Sequence, residues 1–213
     1  MMQGRAARRP RIGIYVGAFD PVHAGHISFA LQALHDARLD QVVFLPERRP
    51  KERPGVEHYA HRIAMLKSAL QPHRNLAVME MVDRHFTVAR TLPLLLSVFQ
   101  DARLVFLMGS DAAAALPELS YADRLMRGNE LAIGTLGRQG RDGVQEAMEG
   151  WPFALADGVT VIDSFAPDVS SAHIREALQR GDSAKGLLAS VKRYAREQWL
   201  YVAPAYAGRR GAV

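Results

Sequence analysis

The chain has 213 residues, of which 48% are hydrophobic and 23% are charged, and it contains no cysteine. This length and composition predict one substantial folded domain and exclude a disordered chain or a miniprotein. The absence of cysteine excludes disulfides, thiolate nucleophiles, zinc ribbons and iron–sulfur clusters.

The formal net charge is +5, but the excess lies at the two ends of the chain. Those ends contain no acid and six arginines, without which the charge is −1: Arg5, Arg8, Arg9, Arg11, Arg209 and Arg210. This distribution argues against a nucleic-acid partner for the folded part. We expect a basic tail over residues 1–11, a single domain over 12–201 and a second tail over 202–213.

The apolar stretches are too short to cross a bilayer. The first, over residues 12–19, is interrupted by Asp20, and the stretch over 92–99 is far below the ~20 residues required. No cleavage site of a secretory signal follows the basic amino terminus. The sequence predicts a cytoplasmic protein with no membrane partner.

Short β-branched runs alternate with segments of helical period, a pattern typical of a parallel sheet joined by crossover helices. The predicted strands span residues 11–16, 41–45, 76–81, 104–108, 131–135 and 159–164. The predicted helices span residues 27–34, 59–70, 88–100, 171–179 and 186–198, and Pro93 is expected to interrupt the third of them near its start. The predicted loops are 46–55 and 137–143. The expected fold is a Rossmann-like, doubly wound parallel α/β sheet with flanking helices.

The junction between the first predicted strand and the first helix carries the most informative motif. It reads Gly17-Ala18-Phe19-Asp20-Pro21-Val22-His23-Ala24-Gly25-His26. Ligands of open α/β sheets bind at such junctions. Gly17 allows a sharp turn, and Gly25 allows a close approach to the helix. His23 and His26 lie on the first helical turn, where free N–H groups and the helix dipole favour an anion such as phosphate.

A His-x-x-His pair is also compatible with a metal site, and the chain contains a second pair, His58 and His61. Neither pair has the Glu of a zinc protease helix, and no cysteine is available. Surface histidines without a function are the ordinary alternative, which we expect for His58 and His61. The glycine-containing context of His23 and His26 favours phosphate binding instead, and no metal ligand is assigned.

The junction resembles the Gly-x-Phe-Asp-Pro-x-His-x-Gly-His signature of the nucleotidyltransferase superfamily, and it is most similar to that of nicotinate-nucleotide adenylyltransferases. Further segments resemble later family elements in the same order. These are the basic residues 48–51 followed by His61-Arg62, then Gly109-Ser110-Asp111, and finally Val169-Ser170-Ser171-Ala172-His173-Ile174-Arg175.

The resemblance implies an enzyme that transfers an adenylyl group from ATP to nicotinate mononucleotide and releases pyrophosphate. It implies catalytic roles for His23, His26, Lys51 and Arg175. The implied ATP-binding residues are Gly17, Ala18, Phe19, His23, Gly25, His26, Gly109, Asp111, Ser170, Ser171 and Arg175. The implied acceptor-binding residues are Phe86, Thr87, Asp111 and Tyr121. Magnesium would be bound mainly through the triphosphate.

Simpler roles remain open for three of these residues. Ser170 and Asp111 each precede a predicted helix and would serve as caps, and Lys51 would be one of several solvated charges in a loop.

The sequence also departs from the family pattern. Ala18 and Ala172 replace hydroxyl-bearing residues, while Leu119 and Ala122 replace tryptophans, leaving Tyr121 as a stacking surface. Two alternatives therefore stay open: another acceptor such as pantetheine phosphate, or a catalytically weak nucleotide-binding regulatory protein.

Overall fold

The computed structural model describes residues 8–50, 55–114, 116, 125, 129–134, 140–149, 159–163 and 169–202. The elements in chain order are β1 (Arg11–Gly17), α1 (Ala24–Asp36), β2 (Gln41–Pro46), α2 (Tyr59–Leu70), β3 (Leu76–Val78), α3 (Thr91–Val98), β4 (Arg103–Gly109), α4 (Ser110–Ala114), β5 (Glu130–Gly134), α5 (Gly140–Glu149), β6 (Val159–Ile162), α6 (Ser171–Arg180) and α7 (Ala189–Glu197). In these stretches, no helix has the length and apolar character needed to cross a membrane.

The six strands form one sheet in the order β3-β2-β1-β4-β5-β6, and all neighbouring pairs are parallel. The predicted Rossmann-like fold is therefore confirmed. The direction of strand addition reverses between β1 and β4, where Tyr15 pairs with Leu107. Two residues further along, β1 ends at Gly17 and β4 ends at Gly109. Open α/β sheets bind ligands at this kind of switch point.

Helices cover both faces of the sheet. Successive residues of a strand point to opposite faces, so each strand contributes to two clusters of buried residues. On β1, Ile12 and Ile14 belong to a core cluster that includes Leu95 of α3 and Val144 of α5. Tyr15 packs against the opposite cluster, which contains residues of α1, α2 and α7. The loops that follow the strands lie at the carboxyl edge of the sheet, and the sequence motif after β1 forms one of these loops.

Two local predictions need correction. Part of the loop predicted over 137–143 is helical, since α5 begins at Gly140. Two glycines in its first turn lower helix propensity, but Val144 is fully buried and its packing overrides that preference. In α3, Pro93 is the third helical residue and does not interrupt the helix. The first-turn N–H groups have no acceptor within a helix, so a proline there removes no hydrogen bond.

The amino-terminal arginines are partly anchored to the fold. Arg11, which the charge count assigned to a tail, begins β1 and binds both carboxylate oxygens of Glu130 at 2.8 and 2.7 Å. Arg8 binds Asp40 at 2.8 Å. Residues 1–7 and 203–213 lie outside the described residues, so the tails at both ends stay a prediction.

Candidate active site

The loop after β1 turns at Phe19, whose φ is 50°, and not at a glycine. The Phe19 ring is 2% exposed and contacts the rings of Tyr15 and Phe44 at centroid distances of 5.3 and 5.2 Å. Its edge also meets His26 at 5.1 Å. A Cβ on Gly17 would lie 3.0 Å from this ring. The interpretation of Gly17 as the turn residue was wrong: it makes room for Phe19. The buried Phe19 ring supports His26, so an ATP contact from this residue would come from its backbone.

His26 is held at the start of α1 by its own loop. Its Nδ1 accepts a hydrogen bond from the backbone N–H of His23 at 3.3 Å. A nitrogen that accepts a hydrogen bond carries no proton, so neutral His26 bears its proton on Nε2. The backbone therefore selects the tautomer in which Nε2 is a hydrogen-bond donor.

His23 is the N-cap residue of α1 and is only 6% exposed. Burial lowers its pKa to about 4, so the ring is neutral at pH 7. It lies against His26 with ring centroids 3.8 Å apart. Its Nδ1 is buried and has no hydrogen-bond partner among the described residues. A buried polar atom left in this state is a position at which a ligand would make a favourable hydrogen bond.

The first turn of α1 offers fewer open N–H groups than the sequence predicted. The N–H of Ala24 donates to the carbonyl of Gly186 at 2.9 Å, and the N–H of His26 donates to the carbonyl of His23 at 3.0 Å. Gly25 is buried within the helix. The expectation of a largely free helix terminus is thus corrected, and attraction of an anion depends more on side chains.

The motif at the start of α6 lies directly against this loop. Ser171 Oγ donates to the Pro21 carbonyl at 3.0 Å, and Arg175 Nη1 donates to the Asp20 carbonyl at 2.6 Å. Ser170 caps α6 by accepting the N–H of His173 at 3.2 Å, which supports the capping alternative for this residue. The two segments, 150 positions apart in sequence, form one site, and the Arg175 side chain remains one-third exposed.

The Gly-x-Asp element follows β4, the strand that pairs with β1. Gly109 ends β4 and pairs with Gly134 of β5. Asp111 is in α4, but its side chain lies outside the described residues. The Ser110 hydroxyl between them is buried without a partner in the part of the chain that the structure describes. Lys51, predicted to be catalytic, also lies outside the described residues.

Two of the predicted acceptor residues, Phe86 and Thr87, lie just before α3 and are held there by contacts within the fold. The N–H of Phe86 donates to Glu47 at 2.9 Å, and the Phe86 ring meets Phe106 at 5.8 Å. Thr87 Oγ1 accepts the N–H of Arg90 at 3.3 Å. The Thr87 hydroxyl therefore takes part in the turn that begins α3. Residues 119–122, which include Tyr121, lie outside the described residues.

A basic pocket lies next to these residues. It has a volume of about 600 Å³ and is lined by Arg48, Arg49 and Arg84, with Glu57, His58 and Tyr59 on the α2 side. The Arg48 guanidinium stacks 4.7 Å from the centre of the Tyr59 ring. Three arginines in the lining of one cavity favour a ligand that carries phosphate.

Comparisons with known proteins agree with this geometry. The sequence profile of the cytidylyltransferase-like family matches residues 14–177. The chain is 32% identical over 195 residues to the probable nicotinate-nucleotide adenylyltransferase of Bordetella avium (strain 197N), covering 90% of this chain and 98% of the relative. It is 33% identical over 199 residues to the protein of the same name from Halalkalibacterium halodurans, covering 90% and 91%. The chain belongs to the nicotinate-nucleotide adenylyltransferase family.

A solved structure supports the same fold. The Plasmodium falciparum nicotinic acid mononucleotide adenylyltransferase complexed with NaAD superimposes with a TM-score of 0.75 at 15% identity, covering 90% of this chain and 97% of that chain. The resemblance seen in the sequence is confirmed, and the protein is a nucleotidyltransferase.

Two residues that hold parts of this nucleotidyltransferase site together were not assigned to it from the sequence, although Arg62 was named within a segment that resembles a family element. Tyr201 is 4% exposed, and its hydroxyl donates to Asp20 Oδ1 at 2.6 Å. Arg62 is fully buried and bonds to the carbonyl of Ala18 at 2.6 Å. Arg62 is the one charged residue on the buried face of α2, beside Ile63 and Leu66, and a charged residue next to an apolar stripe was the available signal.

The second histidine pair makes contacts that stabilise the fold around α2. His58 caps α2 by accepting the N–H of Ala60 at 3.4 Å. His61 Nδ1 lies 3.0 Å from the Tyr194 hydroxyl, and the two imidazole rings are 6.4 Å apart. These contacts connect α2 to its own first turn and to α7.

The donor set fits a magnesium ion that arrives with a nucleotide. Among the described residues, no group of three or more His, Asp or Glu side chains is arranged to hold a metal ion. Both carboxylate oxygens of Asp20 already accept hydrogen bonds, from the Tyr201 hydroxyl and from the N–H of Glu57 at 3.3 Å. Magnesium commonly binds through substrate phosphates and keeps several waters, which requires no cage of protein ligands.

Proposed function

We propose that this protein transfers the adenylyl group of ATP to nicotinate mononucleotide, forming the dinucleotide deamido-NAD and pyrophosphate. The observation that carries the proposal is the contact between the loop of His23 and His26 and the start of α6, with Arg175 bonded to Asp20 at 2.6 Å. This contact places two imidazoles and a guanidinium around the carboxyl end of β1. The relatives that carry the same function in their names align over 90% of the chain.

The chemistry requires alignment more than a protein nucleophile. An oxygen of the acceptor phosphate attacks the α-phosphorus of ATP, and the bond to the bridging oxygen breaks with its electron pair leaving on pyrophosphate. His26 would donate its Nε2 proton in a hydrogen bond to an oxygen on which negative charge develops. Arg175 would bind the outer phosphates with its planar fork. Lys51 is assigned to the same outer phosphates by family resemblance.

We place the phosphate of the acceptor in the basic pocket beside α2. In this proposal His23, His26 and Arg175 bind the triphosphate, whereas Arg48, Arg49 and Arg84 line a separate cavity of about 600 Å³. Arg84→Gln should therefore raise the KM for nicotinate mononucleotide while changing the KM for ATP little. An unchanged acceptor KM would remove this pocket from the site.

Magnesium belongs to the same proposal as a substrate-borne ion. When bound to the triphosphate it would neutralise negative charge on the phosphate oxygens. The protein's own groups, His23, His26 and Arg175, would orient those phosphates. The cytoplasmic location expected from the sequence is likewise part of the proposal.

The direct test is a panel of acceptors. Purified protein is incubated with ATP and magnesium and with nicotinate mononucleotide, nicotinamide mononucleotide or pantetheine phosphate, and pyrophosphate and the dinucleotide product are measured. The proposal predicts product with nicotinate mononucleotide at the highest kcat/KM. Preferential use of pantetheine phosphate, or ATP binding without product from any acceptor, would favour one of the two alternatives left open by the sequence.

A further inference from the structure

Arg62 of α2 connects three segments that meet at the site. Its side chain is 0% exposed, and its four hydrogen-bond acceptors are backbone carbonyl oxygens. Nη1 donates to Ala18 at 2.6 Å, and Nη2 donates to Glu47 at 2.7 Å and to Arg48 at 2.9 Å. Nε donates to Glu57 at 3.0 Å. One planar group thus touches the loop after β1, the loop after β2 and the turn before α2.

The segments that Arg62 joins carry different parts of the proposed chemistry. Ala18 begins the loop that continues to His23 and His26, whereas Arg48 lines the basic pocket. The carbonyl groups of Ala18 and Arg48 accept hydrogen bonds from the same guanidinium, so they cannot move apart without losing those bonds. The distance between the two loops is therefore set by the rigid geometry of this side chain.

The feature that distinguishes a charged side chain here is its set of four hydrogen bonds to the loops. Ile63 and Leu66 are buried on the same face of α2, and an apolar residue at position 62 would continue their stripe. Burying a guanidinium has a desolvation cost, and an apolar residue in its place would leave the four carbonyl oxygens without this donor. What an apolar residue would lack is the four directional bonds to the loops.

We propose that Arg62 is a positioning residue that fixes the loop of His23 and His26 relative to the basic pocket, so that the triphosphate and the acceptor phosphate meet in line. The inference rests on the proposed function, because it concerns the alignment of those two substrates. Reacting atoms must approach to about 3–3.5 Å, and a displacement of about 1 Å can cost ~10²-fold in rate.

The test compares Arg62→Met, which keeps the volume and removes every donor, with Arg62→Lys, which keeps one charged donor group. Leu66→Ala is the matched control, because Leu66 is also fully buried in α2 and its truncation destabilises the core. For each variant, kcat and both KM values are measured below its own unfolding temperature, with the folded fraction determined by circular dichroism.

The expected result for Arg62→Met is a kcat about 10²-fold below that of the wild type, with both KM values changed far less. Each loop would still bind its own substrate, but the substrates would no longer be aligned. Arg62→Lys should recover part of the loss, and Leu66→Ala should keep a near-normal kcat per folded molecule. If Arg62→Met and Leu66→Ala have the same kcat per folded molecule, the inference is overturned.

Hydrogen exchange separates failure of this inference from failure of the proposed function. In Arg62→Met, amides of residues 17–26 and 44–50 should exchange faster together than in Leu66→Ala. If the wild type forms no product with any acceptor, the proposed function fails, and this comparison still decides the role of Arg62. Equal exchange of both segments in the two variants would then overturn it.

Discussion

Replacing His26 with Asn should separate its structural role from its chemical role. Asn places an amide oxygen near the position of the imidazole Nδ1, so it can still accept the N–H of His23 that the wild-type ring accepts at 3.3 Å. It has no group at the Nε2 position. His26→Gln is the complement, because its longer side chain carries an amide donor to the Nε2 position. His26→Ala removes both functions.

The two roles have different magnitudes. Loss of the hydrogen bond at the helix start costs about 0.5–2 kcal/mol, and a chain of this size loses about 2–4 °C in Tm for each kcal/mol. His26→Ala should therefore unfold at a Tm lower by roughly 1–8 °C. Loss of one charge-stabilising donor costs about 2.7–4 kcal/mol in the transition state, or 10²–10³ in turnover.

The assay is pyrophosphate release at saturating ATP and nicotinate mononucleotide, together with thermal unfolding of each variant. We expect His26→Asn to keep the wild-type Tm and lose 10²–10³-fold in kcat, and His26→Gln to retain more turnover. His35→Asn is the control, since His35 lies at the other end of α1 with its side chain 86% exposed. Wild-type turnover in His26→Asn would refute the chemical role, and a Tm as low as that of His26→Ala would refute the assigned tautomer.

Three further predictions follow from buried or bonded groups of the site. Burial lowers the pKa of His23 from 6.5 to about 4, so the contribution of this group to stability is fully present above pH 6.5 and falls by about 3 kcal/mol toward pH 4. Urea unfolding of His23→Asn should show a weaker loss of stability over this pH range than the wild type. Arg175→Lys should raise the KM for ATP with little effect on the KM for the acceptor. Arg180→Lys, at the exposed end of the same helix, is the control and should change neither KM. An unchanged KM for ATP in Arg175→Lys would return Arg175 to a structural role. Tyr201→Phe leaves a buried Asp20 oxygen without its donor and should cost about 1–3 kcal/mol, which calorimetry would detect as a lower Tm.

The sequence was sufficient for the parts of the fold that repeat a simple pattern. The apolar stripe over residues 59–70 predicts α2, which spans Tyr59–Leu70. The short β-branched runs predict six strands. The segments of helical period between them are long enough for the crossover connections that parallel strands require. Helix α5 was missed because its glycines look like a loop, and burial of Val144 is decided by packing that no local window contains.

Candidate site residues could be named where a motif lies on one segment and not where segments meet. Local motifs named His23, His26 and Arg175, whose roles in the site stay predictions. The carbonyl of Gly186, which takes the N–H of Ala24, leaves no signature in the sequence, because any residue has a carbonyl. For Arg62, the charge on an apolar face of α2 is a signal in the sequence, but the carbonyl oxygens that accept its hydrogen bonds leave none.

The most direct test of the central claim is a double titration of the wild-type protein. Formation of deamido-NAD is measured by chromatography while ATP and nicotinate mononucleotide are varied independently, and pyrophosphate is quantified in the same samples. The account predicts one pyrophosphate for each dinucleotide, with formation saturating in both substrates. Pyrophosphate released without dinucleotide, or no turnover with nicotinate mononucleotide at millimolar concentration, would contradict it.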